Sequence, residues 1–394
     1  MIEPLAVSAA TCASCVGTGK GAVLSSLVAS QCGLRPNDFG SDRLSTWIGR
    51  VQDLEARLPH RLISWDCRSN RLAWLGLCAD DFHAAVATVS RRYGASRVAV
   101  IVGTSTSSIA ATEEAYRQLD EHGAFPPHLR SGKVHTLHSL AEFVQRALGL
   151  EGPCVTVSTA CSSGAKTFAM AERLLRLGLV DAAIVGGVDT LCGHTLFGFN
   201  ALQLVSPDVC RPFDAHRSGI SLGEAAGFAL LQRQRDATET AVRLIGYGES
   251  SDAHHMSAPD PSGEGAERAL DEALASAGVS ADEIDYLHLH GTGTLKNDEV
   301  EGALVTRRFG DRTHASSTKG MTGHTLGAAG MLGAVFSMLA LETGWMPGTV
   351  NCLTPDSSWG SRLLLQPLRK NVRLAMANSF GFGGSNCVLV FGRS

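Results

Sequence analysis

An α/β fold with sheets buried on both faces is predicted by three observations. Apolar runs such as 97–103 (RVAVIVG) and 181–187 (DAAIVGG) are continuous rather than alternating, which is how strands covered on both sides read. Stretches with helical spacing lie between such runs, as expected when strands and helices alternate. Glycine is abundant, 43 of 394 residues, yet it is set among apolar runs without the proline and serine of a disordered chain, so it marks tight turns and close backbone approaches.

The elements follow in order. Strands are predicted at 97–103, 153–160, 181–187, 224–232, 241–248, 284–290 and 387–391, and helices at 137–148, 162–177, 263–277, 298–309 and 325–341. Two strand-to-helix junctions carry reactive side chains: Cys161 follows PCVTVSTA, and His290 closes IDYLHLH before a Gly-Thr-Gly-Thr turn. This repeated logic divides the chain at the polar stretch 232–241 (QRQRDATETA) into units 1–235, with the cysteine, and 236–394, with His290 and His324. The uncharged run 325–341 is shorter than the ~20 residues that span a bilayer and is rich in Gly and Ala, so it is expected to be a tightly packed core helix.

A net charge of −4 excludes global attraction to nucleic acid or an anionic membrane. The eleven cysteines are odd in number and scattered, which fits reduced thiols rather than a disulfide framework, and the start lacks the basic segment of a secretory signal; a cytoplasmic enzyme is expected.

A cysteine at a helix start is exposed to unpaired N–H groups and the positive end of the helix dipole, so the Cys161 thiol is expected to fall below its free pKa of about 8.5. Free cysteine is often inert core filler, and one histidine after a strand is more often structural than catalytic. Three glycine-rich segments shift that balance: 290–294 (HGTGT), 319–330 (KGMTGHTLGAAG) and 378–386 (NSFGFGGSN). Together they offer what acyl transfer from a thioester requires, namely a sulfur nucleophile, backbone N–H groups for an oxyanion, and two further donors for a second carbonyl. No metal is expected: Cys12 and Cys15 have CxxC spacing but no second pair, and His288 and His290 share a strand face without a third ligand.

At 159–164 (TACSSG), 211–219 (RPFDAHRSG), 290–294, 319–324 (KGMTGH) and 378–384 (NSFGFGG) the chain resembles the β-ketoacyl-acyl-carrier-protein synthases, decarboxylating condensing enzymes of the thiolase-like superfamily. The resemblance implies a five-layered αβαβα fold of two duplicated halves. It implies that Cys161 takes an acyl chain from an acyl carrier protein, whose own phosphopantetheine delivers it, with no cofactor bound by the enzyme. Cys161 and Phe380 would supply the oxyanion N–H groups, His290 and His324 would bind the malonyl carbonyl, and Lys319 would hold the network around them. Thr292 and Thr294 would bind pantetheine, and Phe380, Gly381, Phe382 and Gly383 would form the gate, with 250–259 as a second loop. The resemblance further implies a homodimer, or a heterodimer with a ketosynthase-like chain-length partner; a noncatalytic partner subunit is the alternative reading, but such partners lack the nucleophile. Arg68, Arg71, Arg130 and Lys133 are the expected cations for docking an acidic carrier protein. Two departures stand out: Gly333 replaces a glutamate nine residues beyond the second histidine, and 104–108 (TSTSS) replaces glycines, hinting at specialised metabolism such as polyene synthesis.

Overall fold

The computed structural model describes residues 1–40, 43–237, 241–310, 312–356, 359 and 362–393; residues 238–240 of the polar midpoint stretch lie outside these. Ten principal strands are β1 (Leu5–Ser14), β2 (Val98–Gly103), β3 (Cys154–Val157), β4 (Ala182–Asp189), β5 (Ala225–Arg233), β6 (Val242–Ser251), β7 (Tyr286–His288), β8 (His314–Ser316), β9 (Leu374–Gly381) and β10 (Ser385–Arg393). The helices that build the layers are α1 (Arg68–Leu77), α2 (Phe82–Tyr93), α3 (Ser139–Leu148), α4 (Ser163–Arg176), α5 (Gly193–Ala201), α6 (Glu264–Ala277), α7 (Leu295–Arg308) and α8 (Ala329–Thr343).

The strand order is β8-β7-β9-β10-β6-β1-β5-β4-β2-β3. Read outward from the centre, both directions repeat one pattern: two antiparallel pairings, then two parallel ones. The halves meet where β1 pairs antiparallel with β6, Leu5 opposite Leu244 and Ala6 opposite Arg243. This is the duplicated thiolase-like arrangement that the motifs imply.

Strand periodicity explains why the runs are apolar throughout. On β2, Val98, Val100 and Val102 face an outer layer with Leu72, Phe82 and Phe143 of α1, α2 and α3, while Ala99 and Ile101 face inward. On β10, Val388 and Val390 meet Leu270 and Leu304 of α6 and α7, while Leu389 and Phe391 face inward. Between the two sheet faces lie α4 and α8, with Phe168, Leu175, Met331 and Phe336 in one shared core. A Cβ at Gly164 would stand 2.9 Å from the Met331 nitrogen, so glycine there lets the two central helices approach closely.

Among the described residues one helical stretch, Leu326–Thr343, is long and apolar enough to cross a membrane, and 83% of it is buried in this central layer. It is a core helix, as its Gly and Ala content predicts.

The sequence missed β1, whose LAVSAATCAS is rich in Ala and Ser; pairing on both edges, rather than propensity, makes it a strand. It also missed β8, all of β9, part of which reads as a glycine-rich turn, and α1, α2 and α5.

Candidate active site

Cys161 sits in a tight elbow rather than directly at a strand end. Strand β3 stops at Val157, Ala160 adopts φ 51°, and α4 begins at Ser163. The turn is pinned by the Ser163 hydroxyl, which accepts from the Thr159 N–H at 2.9 Å and donates to the Ala160 carbonyl at 2.6 Å. Positive φ at a non-glycine residue is uncommon and gathers at functional sites, because only a well-determined surrounding holds it. The sulfur is buried, and the N–H groups of Phe382 and of Cys161 itself are directed at it.

Two expectations are corrected here. Burial pushes the Cys161 thiol up to about 11, outweighing the backbone N–H groups and the Lys319 charge that act in the other direction, so the resting group is a thiol and not a thiolate. The second N–H beside the sulfur belongs to Phe382, not Phe380: Phe380 is still within β9, opposite Asn386, and its ring lies 5.8 Å from that of His290.

His290 and His324 converge on the cysteine. The Cys161 sulfur and one ring nitrogen of each histidine lie within 4.8 Å of one another, and the two rings stand nearly perpendicular with centroids 5.5 Å apart. The Leu326 N–H donates to Nδ1 of His324 at 3.1 Å, so that nitrogen carries the lone pair and Nε2 the proton. Nζ of Lys319 lies 3.5 Å from Nδ1 of His290 and donates to the His290 carbonyl oxygen. Burial, and then the Lys319 charge, hold both imidazoles well below their usual pKa and therefore neutral. Burial also lowers Lys319, against the opposing pull of Glu301.

Two buried carboxylates that the sequence reading did not single out cage the 290–294 loop. Glu301 accepts from the N–H groups of His290 at 2.8 Å and Gly291 at 2.7 Å, and from the Asn378 amide at 3.0 Å. Asp298 accepts from the N–H groups of Thr292, Gly293 and Phe213. Their spacing of three on α7 puts both on one face beneath four consecutive loop amides. That spacing, directly after HGTGT, is the signal that could have found them. Gly293, at φ 81°, makes the turn that aims these amides.

A third carboxylate, Asp189 at the end of β4, is fully buried. It accepts from the hydroxyls of Thr104, Ser105 and Thr106, the N–H groups of Ser105 and Thr106, and the Gly327 N–H. The hydroxyl-rich run 104–108 therefore solvates this charge and ties the loop after β2 to the turn behind His324.

A cavity of about 360 Å³ reaches this centre and is lined by Cys161, His290, His324, Thr292, Thr294 and Phe382 among others. The Thr292 and Thr294 hydroxyls lie 2.9 Å apart along its wall. The Phe382 ring packs on Phe199 of α5 with centroids 5.3 Å apart. Gly381 precedes Phe382, and Gly383, at φ 76°, follows it and donates its N–H to the Met256 carbonyl at 2.8 Å, which links the gate segment to the 250–259 loop.

The four expected docking cations are not equivalent. Arg68 bonds Glu224 in bidentate fashion and Arg71 bonds Asp66 likewise, so both guanidinium groups have carboxylate partners within the fold. Lys133 lies over the Trp65 ring at 5.3 Å and 3.4 Å from the Ser64 hydroxyl. Arg130 is more exposed, donating to the Phe125 carbonyl and 3.9 Å from Asp120.

Comparison with known proteins agrees with this geometry. Residues 83–237 match the beta-ketoacyl synthase N-terminal domain and residues 241–353 its C-terminal domain. Nodulation protein E of Rhizobium meliloti (strain 1021) is 37% identical over 306 residues, 75% of this chain and 76% of that one. The 3-oxoacyl-[acyl-carrier-protein] synthase 2 of the same organism is 40% identical over 260 residues, 62% of each chain. Among solved structures, a chain from the complex of the ketosynthase ApeO with its chain length factor ApeC from Xenorhabdus doucetiae superposes with a TM-score of 0.89 at 36% identity, covering 100% of this chain and 98% of that one. A chain of the ishigamide ketosynthase/chain length factor gives 0.89 at 29% identity over the whole of both chains. With its duplicated fold and with the cysteine and both histidines converging in one buried cavity, this chain belongs to the beta-ketoacyl synthase family.

Proposed function

We propose that the protein is a catalytic ketosynthase that joins an acyl group held on Cys161 to the two-carbon unit of malonyl-carrier protein, with loss of carbon dioxide. The observation that carries this reading is the approach of the Cys161 sulfur and the two imidazoles to within 4.8 Å in one cavity.

The first step is thioester exchange: the Cys161 sulfur adds to the acyl carbonyl, the new C–S bond forms, the acyl–pantetheine C–S bond breaks, and the Cys161 proton passes to the departing pantetheine sulfur. The N–H groups of Cys161 and Phe382 stabilise the tetrahedral oxyanion. In the second step the malonyl thioester oxygen accepts from Nε2–H of His290 and of His324. The C–CO₂ bond breaks, and its electron pair becomes the enolate. A neutral imidazole with a fixed proton suits this task, because it donates to the developing charge in a dry pocket without itself needing to ionise. The enolate carbon then attacks the acyl-Cys161 carbonyl; the C–C bond forms, the C–S bond breaks, and the released thiolate takes a proton from water, as its high pKa favours.

Thr292 and Thr294 offer hydroxyls to the pantetheine arm, Lys319 positions His290 through its carbonyl, and Phe382 on its glycines gates the route between acyl and malonyl groups. The growing chain is a fatty-acid, polyketide or polyene chain. Likeness to chains from ketosynthase/chain length factor complexes supports a heterodimer with a chain-length partner, with a homodimer as the alternative. Eleven unpaired cysteines suit a reducing, cytoplasmic setting. The noncatalytic partner reading is disfavoured by the intact Cys161, His290 and His324.

The test is release of carbon dioxide from malonyl-carrier protein and formation of a β-ketoacyl product by the purified protein, alone and with a chain-length partner. Cys161→Ala is expected to abolish condensation, whereas Cys161→Gln keeps decarboxylation measurable; condensation retained in Cys161→Ala would reject the reading.

A further inference from the structure

Three consecutive residues stitch the segment before the Lys319–Thr322 helix to the end of β7. The Ser317 hydroxyl donates to the Gly291 carbonyl at 2.7 Å, Nζ of Lys319 donates to the His290 carbonyl, and between them Oγ1 of Thr318 meets Nε2 of His288 at 3.1 Å. His288 is buried, yet its Nδ1 has no hydrogen-bond partner among the described residues. An unpaired buried polar atom costs roughly 1–3 kcal/mol, so a group that keeps one is held there for a reason other than stability.

That free nitrogen faces α8 at Gly333. A Cβ built on Gly333 would stand 2.9 Å from Nδ1 and 3.3 Å from Cε1, closer than unbonded atoms approach without something shifting. Position 333 is also where the family resemblance implies a glutamate. The imidazole thus occupies the space that any side chain at 333 would enter, with the Phe336 ring packed against it at 5.8 Å.

We propose that His288 and Gly333 form a coupled positioning pair, in which the absent side chain at 333 admits the imidazole and the imidazole, through Thr318, fixes the Lys319 corner against His290. The pair replaces a side chain reaching from α8 with one reaching from β7, and it acts through Lys319 and His290 rather than by touching substrate. This inference rests on the decarboxylating reading of the same site.

The experiment measures kcat and KM for decarboxylation of malonyl-carrier protein, with circular dichroism as the check on folding. His288→Leu, which fills the space but cannot bond Thr318, is expected to lower kcat at least about tenfold with KM within about twofold. His288→Gln, whose amide can reach Thr318, is expected to recover to within about threefold of the parent. Gly333→Ala favours the helix, so its expected loss of about fivefold or more reports the contact with His288, and it shrinks below about twofold in a His288→Ala background. Equal losses in the Leu and Gln variants, or an equal cost of Gly333→Ala in both backgrounds, overturn the proposal. Should His288→Leu not fold, the Gln variant and the Gly333→Ala comparison decide. A parent protein that releases no carbon dioxide rejects the condensing reading itself, whereas an active parent matched by His288→Leu rejects the pair alone.

Discussion

Nδ1 of His324 accepts the Leu326 N–H two residues further on, at 3.1 Å, and that bond decides which ring nitrogen carries a proton. Leu326 stands at φ 53° to make it, an uncommon conformation for leucine, and Asp189 anchors the same turn through the Gly327 N–H. Replacing His324 by alanine removes one of the two donors proposed for the enolate oxygen. Decarboxylation should then fall about 10²- to 10³-fold with malonyl-carrier binding little changed, measured as initial rates of carbon dioxide release.

The Cys161 thiol, raised to about 11 by burial, is protonated at neutral pH. Below that value the thiolate fraction rises about tenfold per pH unit, so alkylation of Cys161 by iodoacetamide should climb steadily from pH 7 to pH 9. A plateau beginning near pH 7 would mean that the helix start dominates after all. Mass mapping of the labelled peptide separates Cys161 from the other cysteines.

Glu301 takes three hydrogen bonds on two oxygens, from His290, Gly291 and Asn378. Glu301→Gln keeps the shape but turns one acceptor into a donor facing a donor. A loss of about 1–3 kcal/mol in urea unfolding is expected, together with slower decarboxylation as the 290–294 loop loses its support. Unchanged stability would mean that the loop amides find other acceptors.

The fold class was legible because strands buried on both faces leave an unmistakable apolar run, and the Cys161 elbow because a strand-like stretch meets a helix-like one. What stayed hidden depends on distant packing. The helix dipole at Cys161 is a local feature, but the burial that overrides it comes with residues distant in sequence that close around the sulfur, among them His290, His324 and Phe382. Phe380 and Phe382 alternate with glycine in Ser-Phe-Gly-Phe-Gly-Gly (379–384), and only where β9 ends decides which N–H meets the sulfur. Asp298 and Glu301 read as ordinary helix charges until the loop folds over them.

Arg68 was expected at the surface, yet its side chain is 14% exposed and bonds a Glu224 side chain that is wholly buried. Glu224 also accepts from the N–H groups of Val51 and Leu191. Arg68→Met leaves that carboxylate without its counter-charge, so a destabilisation of about 3–5 kcal/mol is expected from thermal or urea unfolding. A variant of parental stability with weakened carrier-protein binding would restore the docking role.

The most direct test is intact-mass analysis after incubation with an acyl-carrier protein, followed by addition of malonyl-carrier protein. The expected result is a single acyl adduct on the Cys161 peptide, absent in Cys161→Ala, that disappears on malonyl addition as a β-ketoacyl-carrier product two carbons longer is formed. An adduct on another cysteine, or one on Cys161 that malonyl-carrier protein never discharges, would contradict the account.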